Sequence, residues 1–348
     1  MKATIKYILV FIVITTSCKE DPPGNRYNIN NINNGWSIPV DEVVSGGISK
    51  DGIASLVLPD KVRADDPVHN YLAAGDLVLG YKNGDEISAY PHSILDYHEI
   101  INDRSGDVSL AVTYCPLTGT GIAWERILDG EETTFGVSGL LYNANLIPYD
   151  RKTTSFWSQI QSECVHGELI GTKAETFHLV EMPWREWKEM YPGSMVVSPS
   201  TGFDLSYKNY PYGNYKTNSS FVVTPVGRDY MDRRLEFNER VLAVIGVNRA
   251  KVYRFESFGD SLTLIHDEFI ETNMIIAGIK DKYMVAYNRL IEPGVNLNFT
   301  PLLDRNEVIM KDQEGNEWDL FGEAVSGPRK GQQLKSVKSF MAYWFSIP

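Results

Sequence analysis

The sequence predicts a mainly β (α+β) protein with a few short helices, built from two diverged tandem β-rich units. Apolar and polar residues alternate over short runs that Gly, Asn and Asp interrupt, which is typical of strands and hairpins. Few segments have helical spacing. Similar residues also recur in the same order in both halves of the chain, as in an internal repeat. Hydrophobic residues make up 43% of the chain and aromatic residues 11%, which is enough for a packed core.

The strand pattern is clearest in the first half of the chain. Residues 77–81 and 86–90 form a predicted hairpin, and residues 109–114 form a further apolar strand. Residues 91–101 and 183–190 are the two predicted helices. Both begin with proline, which is favoured in the first turn of a helix.

The first residues predict export and a lipid anchor. Lys2 and Lys6 precede an apolar run at residues 7–14, which is too short for a membrane span of roughly 20 residues. The small residues before Cys18 resemble a lipobox. We therefore expect residues 1–17 to be a signal peptide and Cys18 to carry the lipid, which leaves 348 − 17 = 331 residues in the mature chain.

Residues 18–46 form a predicted flexible tether, because Pro, Gly and Asn dominate and few apolar residues are present. The triplet at residues 19–21, Lys-Glu-Asp, resembles a surface-export signal of Gram-negative lipoproteins. We therefore expect the protein at the outer membrane, with the cell surface as an alternative. A formal net charge of −12 argues against nucleic acid as a partner, since phosphate binding needs a basic surface.

A constant offset of 160 positions relates two parts of the chain. The repeated positions are Glu163, Val165, Gly167 and Gly171, followed by Glu323, Val325, Gly327 and Gly331. Weaker similarity, in the same order, relates residues 80–90 to 246–255, residues 112–117 to 285–290, and Asp150 with Trp157 to Asp312 with Trp318. We therefore predict a first unit at residues 47–200, a connecting segment at 201–235 and a second unit at 236–348.

Reactive side chains occur in one copy of the repeat. Cys115 aligns with Asn288 and Cys164 aligns with Ala324, so neither cysteine has a counterpart. A chemical site would therefore belong to the first unit. Cys115 and Cys164 are also an even pair in an oxidising compartment, where a structural disulfide is expected.

Five short motifs in a fixed order resemble a known family. They are residues 97–103 (YHEIIND), 113–117 (TYCPL), 135–141 (FGVSGLL), 149–151 (YDR) and 157–159 (WSQ). With these motifs the chain resembles the bacterial family called domain of unknown function 3179, from about Gly47 onward. The resemblance implies little biochemistry, because the family is named for lacking an established function. Its members commonly carry a Cys-Pro-Leu-Cys element, and here Thr118 stands in the place of the second cysteine.

Cys115 and His98 are the candidate catalytic residues. Cys115 ends a predicted strand before a turn, where backbone N–H groups favour the reactive thiolate. Thr118 leaves Cys115 without an adjacent resolving cysteine, so dithiol chemistry would need Cys164. His98 also fits a structural role, since it follows Ile94 by four residues on the apolar face of a predicted helix.

The candidate metal ligands are Cys115, Cys164, His98 and His166, a set that suits copper(I) or zinc. Cys164 and His166 are two residues apart, so on a strand both side chains point to the same face. The sequence contains no tight Cys-x-x-Cys or His-x-x-x-His spacing to support this site.

Three other features favour structural roles. Ser138 resembles the nucleophile of a hydrolase, but the glycine after it is displaced by one position. Asp150 is expected to accept backbone N–H bonds in a turn, while Arg151 pairs with a carboxylate. The tyrosine-rich residues 210–215 fit a loop that covers the junction between the units, or one that stacks on a ligand.

Three functions remain open on the sequence alone. We favour a non-catalytic ligand- or partner-binding module with a disulfide between Cys115 and Cys164. One alternative is a soft-metal protein that binds copper or zinc through these cysteines and the nearby histidines. The other is a thiol-dependent redox protein or enzyme centred on Cys115.

Overall fold

The computed structural model describes residues 35–218, 232–246, 249–303 and 307–347. These residues form a mainly β protein, as the sequence predicts, with helix α1 at His92–His98 and helix α2 at Trp184–Met190. None of the helices described is long and apolar enough to cross a membrane. The predicted signal peptide and residues 18–34 of the predicted tether, with Cys18, lie outside the described residues. The end of the predicted tether belongs to the fold, because Val43–Ser45 is a strand that pairs with residues 140–142.

The first half of the chain contains three five-stranded sheets and a small hairpin. Its strands are β1 Val43–Ser45, β2 Leu56–Val57, β3 Lys61–Arg63, β4 Leu77–Asn83, β5 Glu86–Pro91, β6 Ile100–Ser105, β7 Val108–Cys115, β8 Thr120–Glu125, β9 Ile127–Leu128, β10 Glu131–Glu132, β11 Phe135–Tyr142, β12 Asn145–Asp150, β13 Phe156–Ser158, β14 Glu163–His166, β15 Thr176–Phe177, β16 Val180–Pro183 and β17 Met195–Val197. The sheet orders are β1-β11-β12-β13-β14, β15-β8-β7-β6-β2 and β16-β4-β5-β17-β3, beside the β9-β10 hairpin.

The second half of the chain contains smaller sheets. Its strands are β18 Arg240–Ile245, β19 Ala250–Arg254, β20 Thr263–Phe269, β21 Thr272–Ile279, β22 Tyr283–Asn288, β23 Leu290–Glu292, β24 Val295–Asn296, β25 Phe299–Pro301, β26 Val308–Asp312, β27 Glu317–Asp319, β28 Ala324–Ser326 and β29 Ser339–Tyr343. The sheet orders are β19-β18-β29, β20-β21-β22, β23-β24 and β25-β26-β27-β28.

The same connectivity occurs twice along the chain. In the first copy the hairpin β4–β5 is followed by the meanders β6–β8 and β11–β14, and β16 then returns to pair with β4. In the second copy the hairpin β18–β19 is followed by the meanders β20–β22 and β25–β28, and β29 returns to pair with β18. We call these segments the first and second copies.

Matching hydrogen bonds support the equivalence of the two longer meanders. Asp150 accepts the indole N–H of Trp157 at 3.2 Å, and Asp312 accepts that of Trp318 at 2.8 Å. Gly167 and Gly327 follow the last strands with φ of +107° and +92°, a conformation that residues with a Cβ resist. These two pairs correspond as the sequence predicts.

One part of the predicted alignment is wrong. Cys115 ends the second strand of its meander, whereas Asn288 ends the third strand of the other. The residue equivalent to Asn288 is Glu125, because the backbone N–H of Glu125 donates to Glu175 as that of Asn288 donates to Lys335, each at 2.9 Å. The error arose because neighbouring buried strands have similar apolar sequences.

The first predicted helix is shorter than expected. The sequence predicts a helix at residues 91–101, but α1 ends at His98 and Glu99 has a φ of +57°. A residue with left-handed φ cannot continue a right-handed helix, so Ile100 starts strand β6 instead.

The core runs through both copies. Trp187 of α2, Val285 of β22 and Trp318 of β27 belong to one buried cluster. The last strand of each copy packs against the third meander strand of the other, β16 against β22 and β29 against β8. The backbone N–H of Tyr343 on β29 also donates to the carbonyl of Thr118 at 2.8 Å. The copies therefore share a core, and the predicted unit boundaries stay a prediction.

Replacing Gly327 by alanine should destabilise the protein more than the same change at Gly331. Both glycines have positive φ, where a side chain costs about 1–2 kcal/mol. A Cβ at position 327 would also lie 2.7 Å from the Cα of Asn316, whereas a Cβ at position 331 meets no described atom within 4 Å. Urea unfolding followed by tryptophan fluorescence should show the larger loss for Gly327→Ala. Equal losses would contradict the close backbone approach at this turn.

Candidate functional site

Cys115 is buried at the end of β7, with 1% of its surface exposed. Its Sγ lies 3.7 Å from the carbonyl oxygen of Ala144. Burial raises the pKa of this thiol, and the carboxyl of Glu99 raises it further. The hydroxyl and backbone N–H of Thr118 and the backbone N–H of Leu117 act in the opposite direction but are outweighed. The thiol is therefore protonated and shielded in this conformation.

Cys164 lies on β14 in an equally closed position. Its Sγ is 3.4 Å from the carbonyl oxygen of His166, and burial raises the pKa of the thiol to about 11. Both Cys115 and Cys164 are free thiols among the described residues, each beside a backbone carbonyl of its own. The disulfide between them stays a prediction.

The two candidate histidines have separate structural contacts. Nδ1 of His98 lies 2.7 Å from the carbonyl of Ala54, so Nε2 accepts the hydroxyl of Tyr207 at 2.6 Å. The ring of His166 stacks on Trp36 with centroids 4.7 Å apart. No group of three or more His, Cys, Asp or Glu side chains that could hold a metal ion occurs in the described part of the chain. The structure thus does not assemble the four predicted metal ligands into one centre.

Polar side chains on and directly after helix α1 lie beside Cys115. His92 and Asp96 are four residues apart on one face of α1, and Glu99 is the left-handed residue that follows the helix. All three side chains are buried. Lys216 Nζ bonds Asp96 at 2.9 Å and lies 4.1 Å from the ring centroid of Tyr210, which places this ring beside the same residues. We call His92, Asp96, Glu99, Cys115 and Tyr210 the loop-covered site.

The cover is the tyrosine-rich loop, residues 207–218. Its backbone hydrogen bonds include Tyr215 N–H to Tyr212 O, which lies within the loop. Side-chain contacts attach it to both copies: Tyr212 Oη to Glu99 at 3.3 Å, Tyr215 Oη to Leu117 O at 2.8 Å, Lys216 Nζ to Asp96 at 2.9 Å, and Asn238 Nδ2 to Lys216 O at 3.0 Å. The loop therefore covers a junction, one of the two roles that the sequence predicts for it.

A buried ion pair closes one side of the loop-covered site. Arg240 of β18 donates to both carboxylate oxygens of Glu181 on β16, at 2.5 and 2.6 Å, and to the carbonyl of Gly119 at 2.6 Å. Nε2 of His92 lies 3.4 Å from Glu181. Burial alone would raise the pKa of Glu181, but Arg240 and His92 outweigh it and lower this pKa to about 2. Glu181 is therefore an anion at neutral pH.

Glu99 is the most perturbed carboxyl of the site. Its backbone is left-handed, an unusual conformation for a residue with a side chain, and its carbonyl accepts the N–H of Tyr114 at 2.7 Å. Burial raises the pKa of its carboxyl to about 7, although the hydrogen bond from Tyr212 lowers it. A buried, strained and near-neutral carboxyl beside a thiol is typical of functional sites.

Four buried polar atoms around this site make no hydrogen bond to the described residues. They are Nε2 of His92, which lies 3.4 Å from Glu181 but outside hydrogen-bond geometry, Oδ1 of Asp96, the hydroxyl of Tyr210 and Nε of Arg240. Buried polar groups are nearly always paired, because each unmade hydrogen bond costs about 1–3 kcal/mol. These atoms therefore leave hydrogen-bonding capacity that a water or a ligand could meet.

Comparison with models of protein families shows to which family this chain belongs. A model described as "Protein of unknown function (DUF3179)" matches residues 50–348. The chain belongs to the DUF3179 family. No curated protein and no solved structure matches it significantly. Its function therefore has to be argued from the site.

This DUF3179 protein has a buried polar network where its sequence departs from the Cys-Pro-Leu-Cys element. The hydroxyl of Thr118 is fully buried and contacts Thr120 and Asn145 at 2.9 Å. Gln159 joins the network by accepting from Asn145 at 2.8 Å. Thr118 thus supplies a neutral hydrogen-bonding group directly beside Cys115.

Two minor predictions can be compared with the structure. Ser138 is fully buried, and its hydroxyl donates to the carbonyl of Ile147, so it is not placed as a hydrolase nucleophile. Asp150 accepts the backbone N–H of Thr153 at 2.7 Å, and Arg151 pairs with Asp51 at 2.8 Å. The predicted turn at residues 150–151 is therefore confirmed.

An open cleft of about 310 Å³ lies where the two copies of this DUF3179 protein meet, and Glu181 of the first copy and Arg240 of the second line it. Other lining residues are Phe255 and Glu256 after β19 and Lys282 between β21 and β22. In the first copy, α1 follows β5 and Cys115 precedes the turn between β7 and β8. In the second copy the short 3-10 helix Phe255–Ser257 follows β19, in the place that α1 has in the first copy. The cleft is therefore lined by segments that correspond to those of the loop-covered site.

Glu99 should make the stability of the protein depend on pH. Its pKa is about 7 in the folded state, above an ordinary value of 4.5, so folding favours the protonated form. Stability should fall as the pH rises from about 4.5 to 7, by on the order of 3 kcal/mol. Urea unfolding across this range should show a flatter profile for Glu99→Gln, with the exposed Glu168→Gln as control. An unchanged slope in Glu99→Gln would contradict this role.

Proposed function

We propose that this DUF3179 protein is a lipid-anchored binding module outside the cytoplasm, which holds a small ligand in the loop-covered site without transforming it. The observation that carries this proposal is the set of unpartnered buried polar atoms contributed by His92, Asp96, Tyr210 and Arg240. A ligand that pairs with them would remove the penalty of leaving them unmatched. The predicted signal peptide and Cys18 support the location.

The state of Cys115 favours binding over thiol catalysis. The nucleophile of a cysteine enzyme is the thiolate, which needs a lowered pKa and access to substrate. Cys115 has a raised pKa and only 1% exposure. It therefore contributes to the wall of the site, as a small apolar side chain does.

The loop of residues 207–218 supplies the means of entry. Its contacts with the first copy include the ion pair from Lys216 and the hydroxyl hydrogen bond from Tyr215. Individual contacts of this kind are worth about 0.5–1.5 kcal/mol, and a solvent-facing ion pair is worth less. Opening the loop would therefore be far easier than unfolding a sheet.

Thiol chemistry at Cys115 is the second candidate, and one observation favours it. The backbone N–H groups of Leu117 and Thr118 and the Thr118 hydroxyl all lower the pKa of the thiol, against its burial. With the loop open and water admitted, these groups would stabilise a thiolate, and Glu99 could accept its proton.

Loosening the loop should expose Cys115. The test uses a Cys164→Ser background, in which Tyr215→Ala removes the hydrogen bond to Leu117. If that contact stabilises the closed loop by about 1.4 kcal/mol, the change should speed labelling of Cys115 by a thiol reagent at least about tenfold. Tyr253→Ala, a change in the second copy, should leave the labelling rate unchanged. Equal rates in all variants would contradict a removable cover. If Cys115 beneath the unaltered loop is labelled at the rate of a free thiolate, the result would instead favour thiol chemistry at Cys115.

Replacing Cys18 by serine should abolish lipid attachment, because only the cysteine thiol accepts the diacylglycerol. The protein should then leave the membrane fraction, while its far-UV circular dichroism stays unchanged. Mass spectrometry of the fractionated protein checks both points. A membrane-bound Cys18→Ser protein that still carries a lipid mass would contradict the anchor.

A further inference from the structure

The unpartnered atoms define which hydrogen-bonding groups a ligand must carry. The inference drawn from them rests on the proposed function. Oδ1 of Asp96 can only accept while the carboxylate is ionised, and Nε of Arg240 can only donate. The hydroxyl of Tyr210 can do both, and Nε2 of His92 can do either one according to its tautomer. His92 and Asp96 are each only 4% exposed, so solvent does not satisfy them. The matching ligand therefore carries several groups that donate and accept at once.

The charges of the site are already balanced. Glu181 is paired with Arg240, and the other oxygen of Asp96 is paired with Lys216 at 2.9 Å. Burial favours the neutral forms of Cys115, His92 and Glu99. A charged ligand would bring an unpaired charge into a buried region, which is strongly unfavourable. The site therefore selects an uncharged molecule.

Aromatic rings lie around the loop-covered site. The rings of Tyr210 and Tyr212 lie 5.5 Å apart in the cover, and Tyr114 lies 4.4 Å from the ring of His92. Arg240 stacks over Tyr343 at 5.1 Å. Tyrosine rings provide flat apolar contacts with a polar edge, which suits the C–H faces of a ring that also bears hydroxyl groups.

We propose that the loop-covered site binds an uncharged polyhydroxyl ring compound, either a neutral sugar unit or a cyclic polyol. The hydroxyl groups of such a compound donate and accept together, so they can satisfy Asp96, His92, Tyr210 and Arg240 at once. An apolar ligand would leave these four groups unpaired, and an organic ion would disturb the two balanced ion pairs. Lys216 and Tyr212 must move with the loop to admit the compound, since both close over the site.

Binding of matched probes tests the proposal. The detergent-solubilised full-length lipoprotein is titrated calorimetrically with D-glucose, N-acetyl-D-glucosamine and myo-inositol, and with two charged counterparts, D-glucosamine as a cation and D-glucuronate as an anion. At least one neutral probe should bind, and the charged ones should bind at least about tenfold more weakly, a difference of about 1.4 kcal/mol.

A tyrosine variant tests the place of binding. Tyr210→Phe removes only the unpartnered hydroxyl. It should lower the affinity for the best neutral probe by about threefold to tenfold, which corresponds to the loss of one hydrogen bond. Tyr253→Phe, whose hydroxyl bonds Asp267 in the second copy, should leave affinity unchanged. Equal affinity in Tyr210→Phe would overturn the placement.

The outcomes separate this inference from the proposed function. Preference for a charged probe would overturn the ligand class and leave the binding function standing. If no probe binds although Tyr215→Ala still exposes Cys115, the ligand class is again overturned and the removable cover remains. If no probe binds and the loop never opens, both the inference and the proposed function fail.

Discussion

The ion pair between Arg240 and Glu181 joins the two copies at one side of the loop-covered site. Arg240 begins the first strand of the second copy, and Glu181 lies on the last strand of the first. The same guanidinium reaches the turn after Cys115 through Gly119, and the same carboxylate lies 3.4 Å from His92 on α1. Loss of one partner from such a pair leaves a buried charge uncompensated, at about 3–5 kcal/mol. This contact therefore adds to the shared core in fixing the relative position of the copies, and it shapes one side of the loop-covered site.

The sequence predicts the β class well because alternation is local and directly reflects which face of a strand is buried. It misplaces features that depend on tertiary structure. The left-handed Glu99 ends α1 early, and no residue-type rule identifies a glutamate in that conformation. Cys115 was aligned with the wrong strand because apolar strands resemble one another. Cys115 does precede a turn, as the sequence predicts, but its thiol is buried there and its reactivity stays a prediction.

Most of the loop-covered site was beyond sequence reasoning because its residues come from distant segments. Asp96 and Cys115 are brought together by a helix and a strand of the first copy, Tyr210 by the connecting segment, and Arg240 by the second copy. The sequence had marked Cys115 and the loop at residues 210–215, and the spacing of His92 and Asp96 on a mostly apolar helix was a further signal. A regular polar row on a helix expected to be buried calls for partners across the interface.

The packing of each copy's last strand against the other copy has a consequence for how the chain reaches its final form. β29 lies next to β8, and Tyr343 bonds the carbonyl of Thr118, so the first copy lacks these contacts until β29 is present. Because a chain is synthesised from its N-terminus onward, the strands of the first copy exist well before β29 does. The surface of β8 that β29 covers would stay exposed during that interval, which favours unwanted association. The loop-covered site takes Arg240 from the second copy and is therefore completed only late in folding.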